Sequence, residues 1–256
     1  MNAIFSLMTP GTFLAAFAVT LFAGFVKGAV GFGLPLVMVS GMALFLEPQL
    51  ALAGLILPVA VSNLQQATRY GLREALDAAR EHRRYILIVC VMIALSAQLV
   101  RLIPSQTMYL VLGLPVVVLS GIQLLGLRLR IPPRRRLLAE WSLGGLSGVL
   151  GGLSGTWGPP TVLYLLALDT PKDRQILVQG LIYGLGAITL LAGHLRSGVL
   201  NAETAPFSAA LLIPGYLGML IGFRVGSRLD QELFRKATLV VLILAGLNLL
   251  RRGIMG

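Results

Sequence analysis

Acidic side chains are the scarcest chemistry in this sequence. Asp and Glu together number 10 in 256 residues, against 21 Lys and Arg, and charged residues make up 12% of the chain while 56% is hydrophobic. Soluble domains carry about 25% charged residues, so an integral membrane protein is indicated and no soluble domain of useful size remains. The single cysteine, Cys90, lies inside an apolar run, which excludes disulfides and metal clusters as organising devices. No HExxH, no Ser-His-Asp pattern and no G-x4-GK[ST] loop occurs, so enzyme and ATP-driven readings lack their residues and no cofactor is expected. Residues 1 to 10 carry no basic side chain, and nothing there resembles a cleavable leader.

The net charge of +11 could suggest nucleic acid, but Arg and Lys sit in short connections between apolar runs. That is the positive-inside pattern, and it points to a lipid bilayer rather than to nucleic acid. Reading for apolar runs bounded by charge gives ten segments, near 11–27, 34–46, 50–67, 85–102 and 106–126, then 137–153, 159–168, 175–195, 206–223 and 236–250. The second of each five, 34–46 and 159–168, is short for a bilayer of ~30 Å at ~1.5 Å per residue. Eight spans with two re-entrant hairpins, and ten tilted or shortened spans, both remain open. Residues 68–84, with Arg73, Asp77, Arg80 and Glu81, read as an interfacial helix with a solvated charged face.

What is present in abundance is glycine, and it is arranged. Gly24-Phe-Val-Lys-Gly-Ala-Val-Gly-Phe-Gly-Leu-Pro35 interrupts the first apolar run, and Gly148-Val-Leu-Gly-Gly-Leu-Ser-Gly-Thr-Trp-Gly-Pro-Pro160 interrupts another. Gly24, Gly28, Gly31, Gly33 and Pro35 align with Gly148, Gly152, Gly155, Trp157 and Pro159, each 124 residues later. A broken helix in lipid needs protein or a wet cavity to satisfy its freed backbone, and paired breaks in two halves are a pointer to a transporter's solute site. The plainer alternative is that these glycines only let helices pack closely.

Charge relates the halves. The 68–84 connection and the 128–136 linker are Arg-rich, whereas 196–205, the counterpart of the first, holds only Arg196 and Glu203. The counterpart of the thin 103–105 link instead carries Arg224, Arg228, Arg235 and Lys236. The expected fold is therefore all-α and polytopic, an inverted-topology repeat of two five-segment halves with its breaks at the midplane. Residues 1–127 form the first repeat, 128–136 a basic cytoplasmic linker and 137–256 the second repeat. Shorter matches support the pairing: Arg69-Tyr-Gly71 with Arg196-Ser-Gly198, and Ser120 to Leu125 with Ala245 to Leu250, each followed by arginines.

Lys27 is the sharpest single residue. A lysine near a bilayer centre costs ~2.5 to 3.5 kcal/mol on insertion scales, and no acidic residue lies within twenty positions before it or fifteen after it. Either something anionic answers it, or the first segment ends near the surface and Lys27 snorkels. Pro35 and Pro159 suit the first turn of a helix, so two helix N-termini would converge on the breaks and favour an anion. The expected solute contacts are Lys27, Gly28, Gly31, Phe32 and Gly33 from the first break, and Gly152, Ser154, Gly155, Thr156 and Trp157 from the second. Trp157 either fills space or closes over the solute. Asn63 with Gln66, and Gln179 with Tyr183 and then His194, form polar stripes at helical spacing that are either solute contacts or helix-to-helix hydrogen bonds. Glu47, Glu140, Asp169 and Asp173 fall at segment ends, so no carboxylate proton relay is visible.

On the residues Gly24 to Gly33 and Gly148 to Pro160, the sequence resembles the TauE/SafE family of sulfite and organosulfonate exporters, also called TSUP. The resemblance implies a multi-pass permease of the bacterial inner membrane that moves a small anion such as sulfite, sulfoacetate or a short carboxylate. A secondary transporter working by alternating access is the first reading, and an anion or small-solute channel the second. A bundle this rich in small residues could pair as a homodimer.

Overall fold

The computed structural model describes residues 4, 7–30, 32–68, 72–126, 131–170, 172–226 and 230–255. Gly31, Arg69 to Gly71, and Arg128 and Arg130 of the linker lie outside the described residues, as do the side chains of Gln66 and Pro159. The described chain is helical throughout, without strands. Its elements are α1 Pro10–Val30, α2 Leu34–Met42, α3 Pro48–Thr68, α4 Leu72–Glu81, α5 Arg83–Leu99 and α6 Ser105–Leu124. There follow α7 Arg136–Ser154, α8 Gly158–Ala167, α9 Lys172–Ser197, α10 Ala205–Ala210, α11 Leu212–Gly226 and α12 Gln231–Met255. Each expected apolar segment carries a helix, and α4 occupies the expected interfacial stretch.

Six stretches are long and apolar enough to cross a membrane: α1, α3, α5 with its 3-10 extension, α6, α9, and α10 with α11. α7 and α12 are also long, at 19 and 25 residues, but bring charges within their ends. α2 and α8, at 9 and 10 residues, reach only ~15 Å at ~1.5 Å per residue and so cannot cross alone.

Packing is reciprocal. α1 lies on α11 and α7 on α5, so each helix that leads into a break rests on a long helix from the other side of residues 128–136. α3 packs on α9 and α6 on α12. Glycine makes the α1–α11 crossing close: a Cβ on Gly28 would stand 2.9 Å from the Phe223 amide nitrogen, and one on Gly222 2.9 Å from the Ala29 nitrogen. Gly148 and Gly152 serve α7 on α5 in the same way, against Val89, Ile93 and Ser96. Close packing is thus the role of Gly24, Gly28, Gly148 and Gly152, and interruption the role of Gly33 and Gly155.

Pro58 lies inside α3, where its missing N–H orphans the Gly54 carbonyl one turn back. Ser208 of α10 repairs the ladder, donating to the Gly54 oxygen at 3.1 Å and accepting from the Leu57 amide at 3.1 Å. A break in one half is thereby satisfied by a hydroxyl from the other.

Ion pairs define one end of the bundle. Glu81 of α4 meets Arg174 of α9, and Arg84 of α5 meets Glu140 of α7. At the other end Ser105 donates to Glu47 at 2.9 Å and Arg101 to the Ser197 carbonyl at 3.4 Å. Arg252 of α12 belongs to that second end. Its guanidinium donates to the Ala43 and Leu44 carbonyls at 2.6 and 2.8 Å and lies 4.5 Å over the Tyr109 ring.

Arg252 therefore caps the C-terminus of α2, where the helix dipole is negative and the last carbonyls lack partners. Arg252→Gln should lower the melting temperature by several degrees, the equivalent of about 1.5 to 3 kcal/mol for a hydrogen bond to a charged group. Arg252→Lys should recover part of it. A thermal unfolding series on the purified variants checks this.

Candidate functional site

The two short helices place the site. The C-terminus of α2 is held at the Arg252 end, while the Ala167 carbonyl at the C-terminus of α8 accepts from the Ile131 amide at 2.8 Å, beside the Arg-rich linker. Their N-termini point inward from opposite ends. Neither N-cap, Gly33 or Trp157, offers a side-chain hydrogen bond to the first turn. Proline stands in that first turn in both helices.

Both breaks line a single cavity, with about 30 Å³ open to the centres of water molecules. That is room for a few waters or one compact solute. Lys27 of α1, Phe32, Gly33, Asn63 of α3, Gly155, Thr156, Trp157 and Tyr183 of α9 form its wall, with Pro35, Leu36 and Gly158. The expected contacts that it brings together are thus Lys27, Phe32, Gly33, Asn63, Gly155, Thr156, Trp157 and Tyr183. Gly28 and Gly152 lie in helix crossings instead. Ser154 stands behind the wall, donating to the Leu150 carbonyl at 2.6 Å and sharing a hydrogen bond with Thr156. Gln179 is buried one turn before Tyr183.

Lys27 does not snorkel; it is 4% exposed. Its ammonium donates to Ser62 Oγ at 3.0 Å and to Asn63 Oδ1. Both acceptors are neutral, and among the described residues no carboxylate forms an ion pair with it. An ammonium has three donors, and these two acceptors use two of them, which leaves one for a partner in the cavity that Lys27 lines. Burial of an unpaired cation is expensive, and a solute anion is the partner that would offset it.

The second break is built more stiffly. The Trp157 carbonyl accepts from Ser147 Oγ at 2.7 Å and Thr161 Oγ1 at 2.8 Å, and the Tyr183 hydroxyl donates to the Gly158 carbonyl at 3.3 Å. The indole is 2% exposed and lies against Gly151 and Gly186, which leave it room. It both fills space and walls the cavity. A left-handed backbone occurs at Gly33 (φ 98°) and at Gly155 (φ 70°), two alignment positions apart. Trp157, aligned with Gly33, has an ordinary φ of −93°, which is why a side chain fits there.

Several residues escaped the sequence reading. Glu140, expected at a segment end, is 2% exposed within α7 and meets Arg136 Nε at 3.1 Å, Arg84 Nε at 3.4 Å and the Tyr164 hydroxyl at 3.3 Å. Partners on three helices allow that burial, and local spacing shows only Arg136, four residues away. Tyr164 stacks on Tyr85 with ring centroids 4.1 Å apart, and Tyr85 donates to Thr161 at 3.1 Å. His194, the last residue of the expected Gln179 and Tyr183 stripe, is fully buried and meets Ser197 Oγ at 3.3 Å rather than the cavity.

An apolar helical bundle with a cavity that carries Lys27, Asn63 and Thr156 between two interrupted helices fits the class of multi-pass membrane transporters. The sequence matches the family described as sulfite exporter TauE/SafE over residues 16–249, and the protein belongs to that family. Membership makes it a membrane transporter of sulfite or related anions. Neither the curated proteins nor the solved structures searched gave a match.

Proposed function

We propose that the protein is a secondary transporter that exports a small anion, sulfite or an organosulfonate such as sulfoacetate, across the bacterial inner membrane by alternating access. The observation that carries this is Lys27, a buried ammonium whose partners among the described residues are the neutral Ser62 and Asn63, lining a cavity on which two helix N-termini converge. The two halves are an inverted-topology repeat in this reading, joined by the basic linker 128–136. Reciprocal packing of α1 on α11 and α7 on α5 supports it. The end bearing Glu81, Arg174 and Arg136 is cytoplasmic by its positive charge, and α2 and α8 are half-helices that enter from opposite sides.

The test is flux in proteoliposomes. Saturable sulfite uptake with counterflow is expected; unsaturated conductance would instead make the same lining a channel. In parallel, sulfite, sulfoacetate and short carboxylates should raise the melting temperature of the purified protein in order of affinity, while taurine, a zwitterion, should do so less. No solute-dependent shift and no saturable flux together would remove the reading.

A further inference from the structure

The cytoplasmic-end cluster contains a group that the anion cavity does not use. His82, between α4 and α5 and outside the membrane-crossing stretches, is 2% exposed, and both its ring nitrogens lack a hydrogen-bond partner among the described residues. An imidazole buried without a hydrogen-bond partner is costly, and its presence calls for an explanation. The groups facing it come from four helices: Glu81 of α4, Arg136 and Glu140 of α7, Tyr164 of α8 and Arg174 of α9. Nε2 lies 3.7 Å from Glu81 Oε1, and the ring meets the Tyr164 ring edge-on at 6.1 Å.

We propose that His82 is a proton-binding site, separate from the anion cavity, through which proton uptake on the Arg-rich side releases α8 and couples anion movement to protons. This rests on the transporter reading above. Glu81, whose side chain is 42% exposed, is the route by which a proton from bulk water reaches Nε2 and by which it leaves. In the arrangement described here burial, the largest influence, pulls the affinity of His82 for a proton below the ordinary imidazole value; Glu81 and Glu140 oppose this, and Arg136 and Arg174 act with it. Protonation is therefore favoured by another conformation, and lowering the pH must populate that conformation.

The connection to the cavity is continuous. A cation at His82 competes for the Glu81 carboxylate, which now takes Arg174 Nε at 3.1 Å, and for Glu140, which now takes Tyr164. The first contact ties α4 to α9, and the second holds α8 to α7. Tyr164 belongs to α8 and stacks on Tyr85, which reaches Thr161; Thr161 and Ser147 hold the Trp157 carbonyl at the cavity wall. Loosening Tyr164 thus loosens the stiff side of the solute site.

Trp157 reports the event, since Trp141, the second tryptophan, is exposed on α7 and can be replaced. In Trp141→Phe protein, Trp157 emission should change in one step with its midpoint below the imidazole value of ~6.5, and His82→Gln should abolish the step. In proteoliposomes the rate of saturable flux of sulfoacetate, whose charge is nearly constant over this range, should change several-fold between about pH 7.5 and 5.5 and lose that dependence in His82→Gln. Sulfite-induced thermal stabilisation at neutral pH should persist in that variant. Absence of the emission step, or its survival in His82→Gln, overturns the proposal, as does an unaltered flux profile. If His82→Gln does not fold, Glu81→Gln carries the test: loss of the neighbouring carboxylate must move the midpoint lower, and an unmoved midpoint overturns the idea. Absence of saturable flux in the wild type refutes the transporter reading instead, whatever the emission shows.

Discussion

Lys27→Gln should lose the response to anions while remaining as stable as the wild type, or becoming more so. Glutamine keeps an amide that can donate to Ser62 and Asn63, the two acceptors Lys27 now uses, but it carries no charge. Removing a buried cation relieves a desolvation cost of several kcal/mol, so the solute-free melting temperature should hold or rise. Removing the charge-assisted contact to the solute costs about 1.5 to 3 kcal/mol, which is roughly a ten- to hundredfold loss of affinity. Binding titrations with sulfite, read by thermal shift or calorimetry, give both signs in one experiment. Retained affinity would remove Lys27 from the site and leave only the helix ends. A large drop in solute-free stability would mean that Lys27 is chiefly a structural tie between α1 and α3.

The second large effect concerns packing. Gly28→Val should strongly reduce the yield of folded protein, because the new side chain would enter the backbone of α11, 3.0 Å from Gly222 Cα and 2.9 Å from the Phe223 nitrogen even at its first carbon. Backbone cannot swing aside as a flexible side chain can. The helices must separate along a crossing that Gly24, Gly28, Gly218 and Gly222 hold close on both sides. Overpacking of this kind costs about 3 kcal/mol or more, and a fall in melting temperature of roughly 10 °C is expected if the variant folds at all. Gly145→Ala is the control: a Cβ there meets nothing within 4 Å, so it should be neutral or stabilise slightly by its helix propensity. Equal behaviour of the two variants would show that α1 and α11 are not packed as described.

Local chemistry made much of this legible from the residues alone. Hydropathy placed all ten apolar segments, because burial in lipid is scored residue by residue along a helix, and α4 stood out by its charge. The breaks were legible because glycine and proline act on their own backbone: Gly33 does take a left-handed φ, and proline does stand in the first turn of α2 and α8. Less legible was which glycine does what. Gly24 and Gly28 look like Gly33 in the sequence, but they face α11, and their partners Gly218 and Gly222 lie almost 200 residues away. Glu140 and His82 were passed over for the same reason. A titratable residue near a helix end reads as solvated until another element covers it.

The sequence by itself determined that this is a helical membrane protein with two interrupted runs, and its family, since those properties are set by the intrinsic preferences of apolar, glycine and proline residues. Only the tertiary structure decided that the interruptions share one cavity, that Lys27 is held by Ser62 and Asn63, and that Glu81, Glu140 and their arginines tie the halves together around His82. Those facts depend on which helix faces meet, and a helix records its own polar and apolar faces without recording what will lie against them.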